Sequence, residues 1–152
     1  MNKKTTIEVY LDFRKFDPDW DFSLTTITDR LEISPTETLK VDEWATSKRR
    51  STLTQWKYST GVIETLDFEK ELLKIVSIFK NKVDLINELK DELGVKTSIC
   101  AVTNVYNGRS PGYSFPIEVM KFAVSIDTSI EIDEYIYEFS EDDLNNEMIY
   151  PN

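Results

Sequence analysis

The sequence of 152 residues contains no histidine and only one cysteine, Cys100. Without histidine the chain cannot form a Ser-His-Asp or Cys-His catalytic site, or a zinc site with histidine ligands. A single cysteine cannot form an intramolecular disulfide, and the N-terminus lacks the apolar stretch of a signal peptide, so a cytoplasmic location is predicted. No apolar run approaches the roughly 20 residues of a membrane helix, and we expect no membrane span.

Basic residues are missing from the last part of the chain. The sequence has 18 basic and 28 acidic residues, a net charge of −10, and no lysine or arginine follows Lys121. Such an acidic segment repels phosphate backbones, so we do not expect binding to nucleic acid. It attracts a basic protein surface, although acidic residues also simply keep a protein in solution. The acidic residues after Lys121 are Asp127, Glu131, Asp133, Glu134, Glu138, Glu141, Asp142, Asp143 and Glu147.

Two periods of apolar residues alternate along the sequence. Apolar residues at every second position indicate strands, and apolar residues three or four positions apart indicate helices. The order β-α-β-β-α(α)-β-α-β is typical of an α+β fold, here a mostly antiparallel or mixed sheet of about five strands with helices packed on one face. The predicted strands are residues 5–16, 38–44, 53–60, 95–106 and 130–139, and the predicted helices are residues 22–32, 67–93 and 114–124.

The length fits one domain of ordinary size. We expect this domain to span residues 1–139 and to be followed by an acidic C-terminal tail over residues 140–152, which shows little periodicity. An exposed sheet edge in such a domain also allows a homodimer.

Local signals predict where several elements begin and end. Asp21 or Ser23 can cap the first helix, and Gly94 can end the long helix in the left-handed conformation. Further expectations are a break of the long helix near Asn81-Lys82, a turn or loop at Gly61, a polar connection over Lys48-Arg49-Arg50-Ser51, a helix cap at Ser114 and a bulge at Asp133-Glu134.

The last predicted strand and the tail form the predicted partner-binding surface. Their carboxylates supply charge for a basic partner, and exposed tyrosines are favoured as anchors. No catalytic constellation accompanies them, so we expect a non-enzymatic protein without a cofactor or a metal. The predicted contacts are Glu131, Asp133, Glu134, Tyr135, Tyr137, Glu138, Asp142 and Asp143.

A second candidate site is the loop before the last helix. Glycine backbone amides and an arginine can bind an anion there, but a plain strand-to-helix loop is the simpler explanation of the same residues. The candidate anion-binding residues are Gly108, Arg109, Gly112 and Ser114.

Three weaker patterns have ordinary structural explanations. Asp17, Asp19 and Asp21 begin like a calcium loop, but its later glycine and glutamate positions hold other residues. Residues 77–80 fit the S-x-x-K pattern of serine acylases without the other motifs of that set. Residues 48–58 mix bases and aromatics, as in proteins that bind single-stranded nucleic acid, but within a strongly acidic chain.

Several short motifs resemble one bacterial family, domain-of-unknown-function 4279. The helix at 27–31 followed by Ile33-Ser34-Pro35-Thr36 resembles its helix and I-x-P-T opening, and Trp56 with Ser59 resembles its W-x-x-S element. The helix at 114–122 and the segment 130–135 resemble its closing helix and I-D-x-Y signature. The resemblance covers about residues 5–137, although a glycine expected shortly after the Pro-Thr pair is absent. It implies a compact α+β domain without an established activity and supplies no active-site residues.

Small acidic domains of this kind resemble immunity proteins, which neutralise bacterial toxins by binding them. We therefore expect an immunity or antitoxin protein that binds a basic toxin. The first alternative is a small-molecule or anion sensor whose site is the loop at 108–114. The second, less favoured, is an enzyme that uses carboxylates with a divalent metal.

Overall fold

The computed structural model describes residues 3–15, 21–42 and 44–139. Strands and helices alternate along the chain, as the two hydrophobic periods predict. Among the described residues the elements are β1 (Thr6–Lys15), α1 (Leu24–Leu31), β2 (Glu37–Leu39), β3 (Trp44–Thr46), β4 (Arg49–Arg50), β5 (Thr54–Glu64), α2 (Phe68–Phe79), α3 (Val83–Leu93), β6 (Lys96–Val105), α4 (Ile117–Ser125) and β7 (Ser129–Ile136).

Five of the strands form one mixed sheet in the order β2-β5-β1-β6-β7. The pairs β2–β5, β5–β1 and β1–β6 are antiparallel, whereas β6 and β7 are parallel. Parallel neighbours need a crossover connection, which here contains α4. The predicted α+β class, the mixed sheet of five strands and the packed helices are therefore confirmed.

Side chains on β1 alternate between two very different faces. Ile7, Leu11 and Phe13 are fully buried in the core that the helices cover. Since successive side chains of a strand point to opposite sides, Tyr10 and Asp12 lie on the other face. Among the described residues no helix packs on that second face, which we call the helix-free face. It is defined by Tyr10 and Asp12 together with Ser98, Cys100 and Glu131, which pair across the sheet.

The helix ends follow the local signals closely. The Ser23 hydroxyl accepts the backbone N–H of Thr26 at the start of α1. The predicted break of the long helix is confirmed, because a 3-10 turn at Lys80–Lys82 separates α2 from α3. Gly94 ends α3 with a φ of 63°, the left-handed conformation that glycine adopts without strain. None of the described helices has the length and hydrophobicity that crossing a bilayer requires.

The prediction for residues 38–51 is wrong in two respects. Strand β2 ends at Leu39, because Asp42 has a φ of 66° and turns the chain out of the extended conformation. The residues predicted as a polar connection include β4, which pairs with β3 in a separate two-stranded hairpin. Apolar alternation alone does not reveal this turn. Aspartate adopts a positive φ more readily than most residues, and this property does not depend on the hydrophobic pattern around it.

Two predictions around the last helix are also wrong. Ser114 does not cap α4, which begins at Ile117 with Pro116 in the cap position and no side-chain cap. Strand β7 has no bulge at Asp133-Glu134, because its pairing with β6 is uninterrupted and the strand ends at Ile136. The change of apolar phase has another cause: the strand is exposed on both faces at its end, so neither face demands strict alternation.

Gly61 lies inside β5 rather than in a turn. Thr60 and Gly61 lie opposite the single residue Val9, between the pairs of Glu8 with Val62 and of Tyr10 with Ser59. This is a β-bulge, and Gly61 provides its positive φ of 91°.

Replacing Gly61 with alanine should lower the free energy of unfolding by about 1–2 kcal/mol, because an L-residue resists positive φ. No atom of the described residues lies within 4 Å of a Cβ placed there, so the cost is conformational only. Gly112→Ala is the matched control: its Cβ also has no neighbour and its φ is not positive, so we expect a change within about 0.5 kcal/mol. Equal effects of the two changes in urea unfolding would contradict this account.

Candidate partner-binding edge

Strand β7 forms one border of the five-stranded sheet, and among the described residues no strand lies on its outer side. Its C-terminal half is open to solvent: Tyr135 is 48% exposed and Ile136 is 71% exposed. The strand carries four of the predicted contacts: the acids Glu131, Asp133 and Glu134, and Tyr135. Two more, Tyr137 and Glu138, follow it directly. We call the segment from Ser129 to Glu138 the acidic edge.

The register with β6 places the side chains of β7 on two faces. Glu131 lies beside Cys100, Asp133 beside Val102 and Tyr135 beside Asn104, all on the helix-free face. The intervening residues point to the side of the helices. These are Ile130, Ile132, Glu134 and Ile136. The predicted acids are therefore divided between two faces, with Glu134 on the opposite side from Glu131 and Asp133.

Glu131 is held by a cation of the central strand. The Arg14 Nη2 donates to Glu131 Oε1 at 2.9 Å, and Arg14 Nη1 lies 3.6 Å from the Oδ2 of Asp12. Because its charge is shared with Arg14, Glu131 contributes less negative potential to an external partner than the sequence alone indicates. Its contact with Arg14 also fixes β7 to β1 across β6.

Asp12 is the charged residue whose role the sequence analysis missed. Its carboxylate is fully buried, where it accepts the Ser98 backbone N–H at 3.2 Å, the Ser98 hydroxyl at 2.7 Å and the Gln55 side-chain amide at 2.6 Å. A buried carboxylate is tolerated only with such partners. The alternation in β1 placed Asp12 on a polar face, and no local signal shows that this face closes over it.

Asp133 and the tyrosines after it form the exposed part of the edge. The Tyr135 hydroxyl donates to Asp133 at 3.1 Å, a hydrogen bond that raises the pKa of Tyr135 above its ordinary value. Tyr137 stacks on Tyr106 with ring centroids 4.5 Å apart, so one face of its ring is already covered. Glu138 is exposed. The predicted contacts Asp142 and Asp143 lie outside the described residues.

The loop predicted to bind an anion lies next to a carboxylate. Glu134 accepts hydrogen bonds from Tyr113 and from Ser110, and burial together with this carboxylate raises the pKa of Tyr113. A Cβ placed on Gly108 would lie 3.0 Å from the Phe139 ring. The loop thus has a negative group and an aromatic ring beside it, which disfavours an anion. Of the other predicted residues, Arg109, Gly112 and Ser114 are exposed.

The other candidate patterns do not form a site within the described residues. Trp56 is fully buried, so the mixture of bases and aromatics at 48–58 is not one surface. Burial raises the pKa values of the Cys100 thiol and the Tyr10 hydroxyl, so both stay protonated near neutral pH. No group of three potential metal ligands occurs in the described part of the chain. Of the calcium-loop pattern, Asp17 and Asp19 fall outside it.

Comparison with known proteins adds the family. The family model for Domain of unknown function (DUF4279) matches residues 4–137. The chain belongs to this family. The matched region includes all eleven described strands and α-helices, from β1 to β7, and confirms the resemblance of the short motifs. No curated protein and no solved structure matches the chain.

Proposed function

We propose that this DUF4279 protein is a non-enzymatic binding protein of the immunity or antitoxin type, which neutralises a basic toxin by covering it. The single observation that carries the proposal is the acidic edge, where Asp133, Glu134 and Glu138 are exposed beside the half-exposed ring of Tyr135. Exposed acids attract a basic surface over distances of about a Debye length, and an exposed aromatic supplies contact area when the surfaces meet.

The net charge of the whole chain also favours a basic partner. The net charge is −10, and no basic residue follows Lys121. Arg14 compensates Glu131, but among the described residues no lysine or arginine forms an ion pair with Asp133 or Glu138. A basic protein that approaches this border therefore meets uncompensated carboxylates first, and its association is expected to be fast at low salt.

Neutralising two acids of the edge should slow association with the basic partner. The variant Asp133→Asn with Glu138→Gln is expected to lower the association rate constant about threefold to tenfold at low salt and to reduce its salt dependence, with a smaller effect on dissociation. Surface plasmon resonance with the partner measures both rate constants over a salt series.

The matched control is Asp29→Asn with Glu32→Gln, which removes the same charge from exposed positions in and after α1, on the β5 side of the sheet. If both double variants change the rate equally, only the net charge matters and the edge is not the contact surface.

The partner itself is sought by capture with the full chain from a lysate of the native cells at low salt. The expected result is one basic protein that binds to the wild type and to the control with Asp29→Asn and Glu32→Gln. It should be lost when the bait carries Asp133→Asn and Glu138→Gln, or when the salt concentration is high. Expression of that protein alone should arrest growth, and co-expression of the chain should restore it. A captured protein that is not toxic, or whose toxicity the chain does not relieve, would contradict the neutralising role.

A further inference from the structure

We propose that β7 binds its partner by strand addition, in which an extended segment of the partner pairs with the outer side of β7 and lengthens the sheet by one strand. This inference rests on the proposed function, because it takes the partner to be a basic protein. It adds the mode of binding and the sequence chemistry of the bound segment: basic and aliphatic residues in alternation.

The backbone of β7 has one side available for pairing. The N–H of Tyr137 donates to the carbonyl of Val105 at 2.9 Å, so the odd-numbered residues turn their backbone groups toward β6. The backbone groups of alternate residues in a strand point to opposite sides, and those of Ile132, Glu134 and Ile136 therefore point away from β6. No described strand lies there. A row of unpaired donors and acceptors of this kind is a template for an added strand.

The two sheet borders differ in how they are protected. At the other border the three-residue β2 covers only residues 55–57 of β5, and the uncovered part of β5 carries the bulge at Gly61, a feature that disrupts pairing at an edge. Strand β7 has eight residues and contains neither proline nor lysine, the residues that commonly block an edge. Its only charges are negative. The border that is open in length and backbone chemistry is therefore also the one that selects for positive charge.

The side chains of β7 define what the added strand must carry. Side chains of neighbouring strands that lie on the same face are in contact. On the helix-free face the new strand lies beside Glu131, Asp133 and Tyr135, which favour lysine or arginine. On the other face it lies beside Ile132 and Ile136, which are 40% and 71% exposed and favour aliphatic residues. Glu134 also lies on that face, between the two isoleucines, but its carboxylate already accepts hydrogen bonds from Tyr113 and Ser110. A segment that alternates basic and aliphatic residues therefore fits both faces.

A second copy of this chain fits the edge poorly. Pairing β7 with another β7 places Glu131, Asp133 and Glu134 of one copy beside the same acids of the other, and like charges on neighbouring strands destabilise a sheet. Charge complementarity therefore favours a basic partner over a homodimer.

The test uses synthetic peptides of eight residues, the length of β7, and the isotopically labelled full chain. The first peptide alternates lysine and valine, and the second has the same composition with all lysines before all valines. Two further peptides keep the alternation and carry N-methyl groups, either on every lysine or on every valine. In the bound strand the lysine N–H groups point to one side and the valine N–H groups to the other, so only one of the two sets faces β7. Each methylated peptide is therefore the control for the other.

We expect the alternating peptide to bind at low salt and to slow the hydrogen exchange of the amides of Ile132, Glu134 and Ile136. The amides of Asp133 and Tyr135 already face β6 and should change little. One methylated peptide should bind at least about tenfold more weakly than the other, because it loses several backbone hydrogen bonds. The second peptide, with all lysines before all valines, should also bind more weakly than the alternating peptide. It should leave the amides of Ile132, Glu134 and Ile136 unprotected.

Three results would overturn strand addition. The first is equal, salt-sensitive binding of all four peptides without new amide protection, which leaves the proposed function intact because the acids still attract a basic chain. The second is no binding of the alternating peptide. The third is protection of the outward amides that rises with protein concentration in the absence of peptide, which shows a homodimer. Failure of the capture and growth experiments, in contrast, refutes the proposed function itself.

Discussion

Trp56→Ala is expected to lower the free energy of unfolding by about 4 kcal/mol, the largest effect of any single change considered for this chain. Trp56 is fully buried where β5 pairs with β1. Its ring packs edge-on against Phe13 with centroids 5.5 Å apart, and its indole N–H donates to the Thr28 hydroxyl at 3.0 Å. Removal of the ring leaves a cavity between the sheet and α1 as well as losing the transfer free energy of the side chain.

The measurement is equilibrium unfolding in urea, followed by far-ultraviolet circular dichroism because the variant changes the fluorescence. Trp56→Phe is the control: it keeps an aromatic ring beside Phe13 and loses the hydrogen bond to Thr28, so a smaller loss of about 1–2 kcal/mol is expected. A loss below about 1 kcal/mol for Trp56→Ala would mean that this part of the core is not closed in solution.

Asp12→Ala is expected to lower the free energy of unfolding by about 3 kcal/mol. The substitution leaves the Ser98 N–H and hydroxyl and the Gln55 amide without their acceptor in a buried site, and it removes one of the two carboxylates beside Arg14. Buried donors without a partner lose their hydration without replacement, which is why the cost exceeds that of an ordinary surface change.

Two control variants separate the causes. Asp12→Asn keeps one acceptor oxygen, and Gln55 can turn its own oxygen to the new amide, so the loss should be about half as large. Glu131→Gln removes the more exposed partner of Arg14 and should cost less than about 1 kcal/mol. If Asp12→Ala is no more destabilising in urea than Glu131→Gln, the carboxylate is not buried in the native protein.

Local patterns in the sequence were sufficient for most of the secondary structure. The alternation in β1, the three-to-four spacing in α2 and α3 and the cap at Gly94 arise from interactions within a few residues, so they can be recognised without the rest of the chain. The errors occurred where a residue with positive φ interrupted the extended backbone, as at Asp42 and Gly61, or where an edge strand relaxed the alternation, as in β7.

The acidic edge was predicted only in part. The sequence showed that acids and tyrosines cluster near residues 131–138, because this is a property of composition. It did not show that Glu131 is compensated by Arg14, which is 117 residues away in the chain, or that Glu134 faces the other side of the sheet. Contacts over such separations depend on strand order and register, which no local pattern specifies.

By itself the sequence determined that this chain lacks histidine chemistry and an intramolecular disulfide, that it folds as an α+β domain, and that its negative charge is concentrated toward one end. The tertiary structure decided three further things: that β7 runs parallel to β6 at the border of the sheet, that Asp12 is buried behind Arg14 and Glu131, and that one side of an acidic strand has no neighbouring strand among the described residues. The physical reason is the range of the interactions. Periodicity and capping act over a few residues, whereas burial of a charge and the openness of an edge depend on which distant segments the fold brings together.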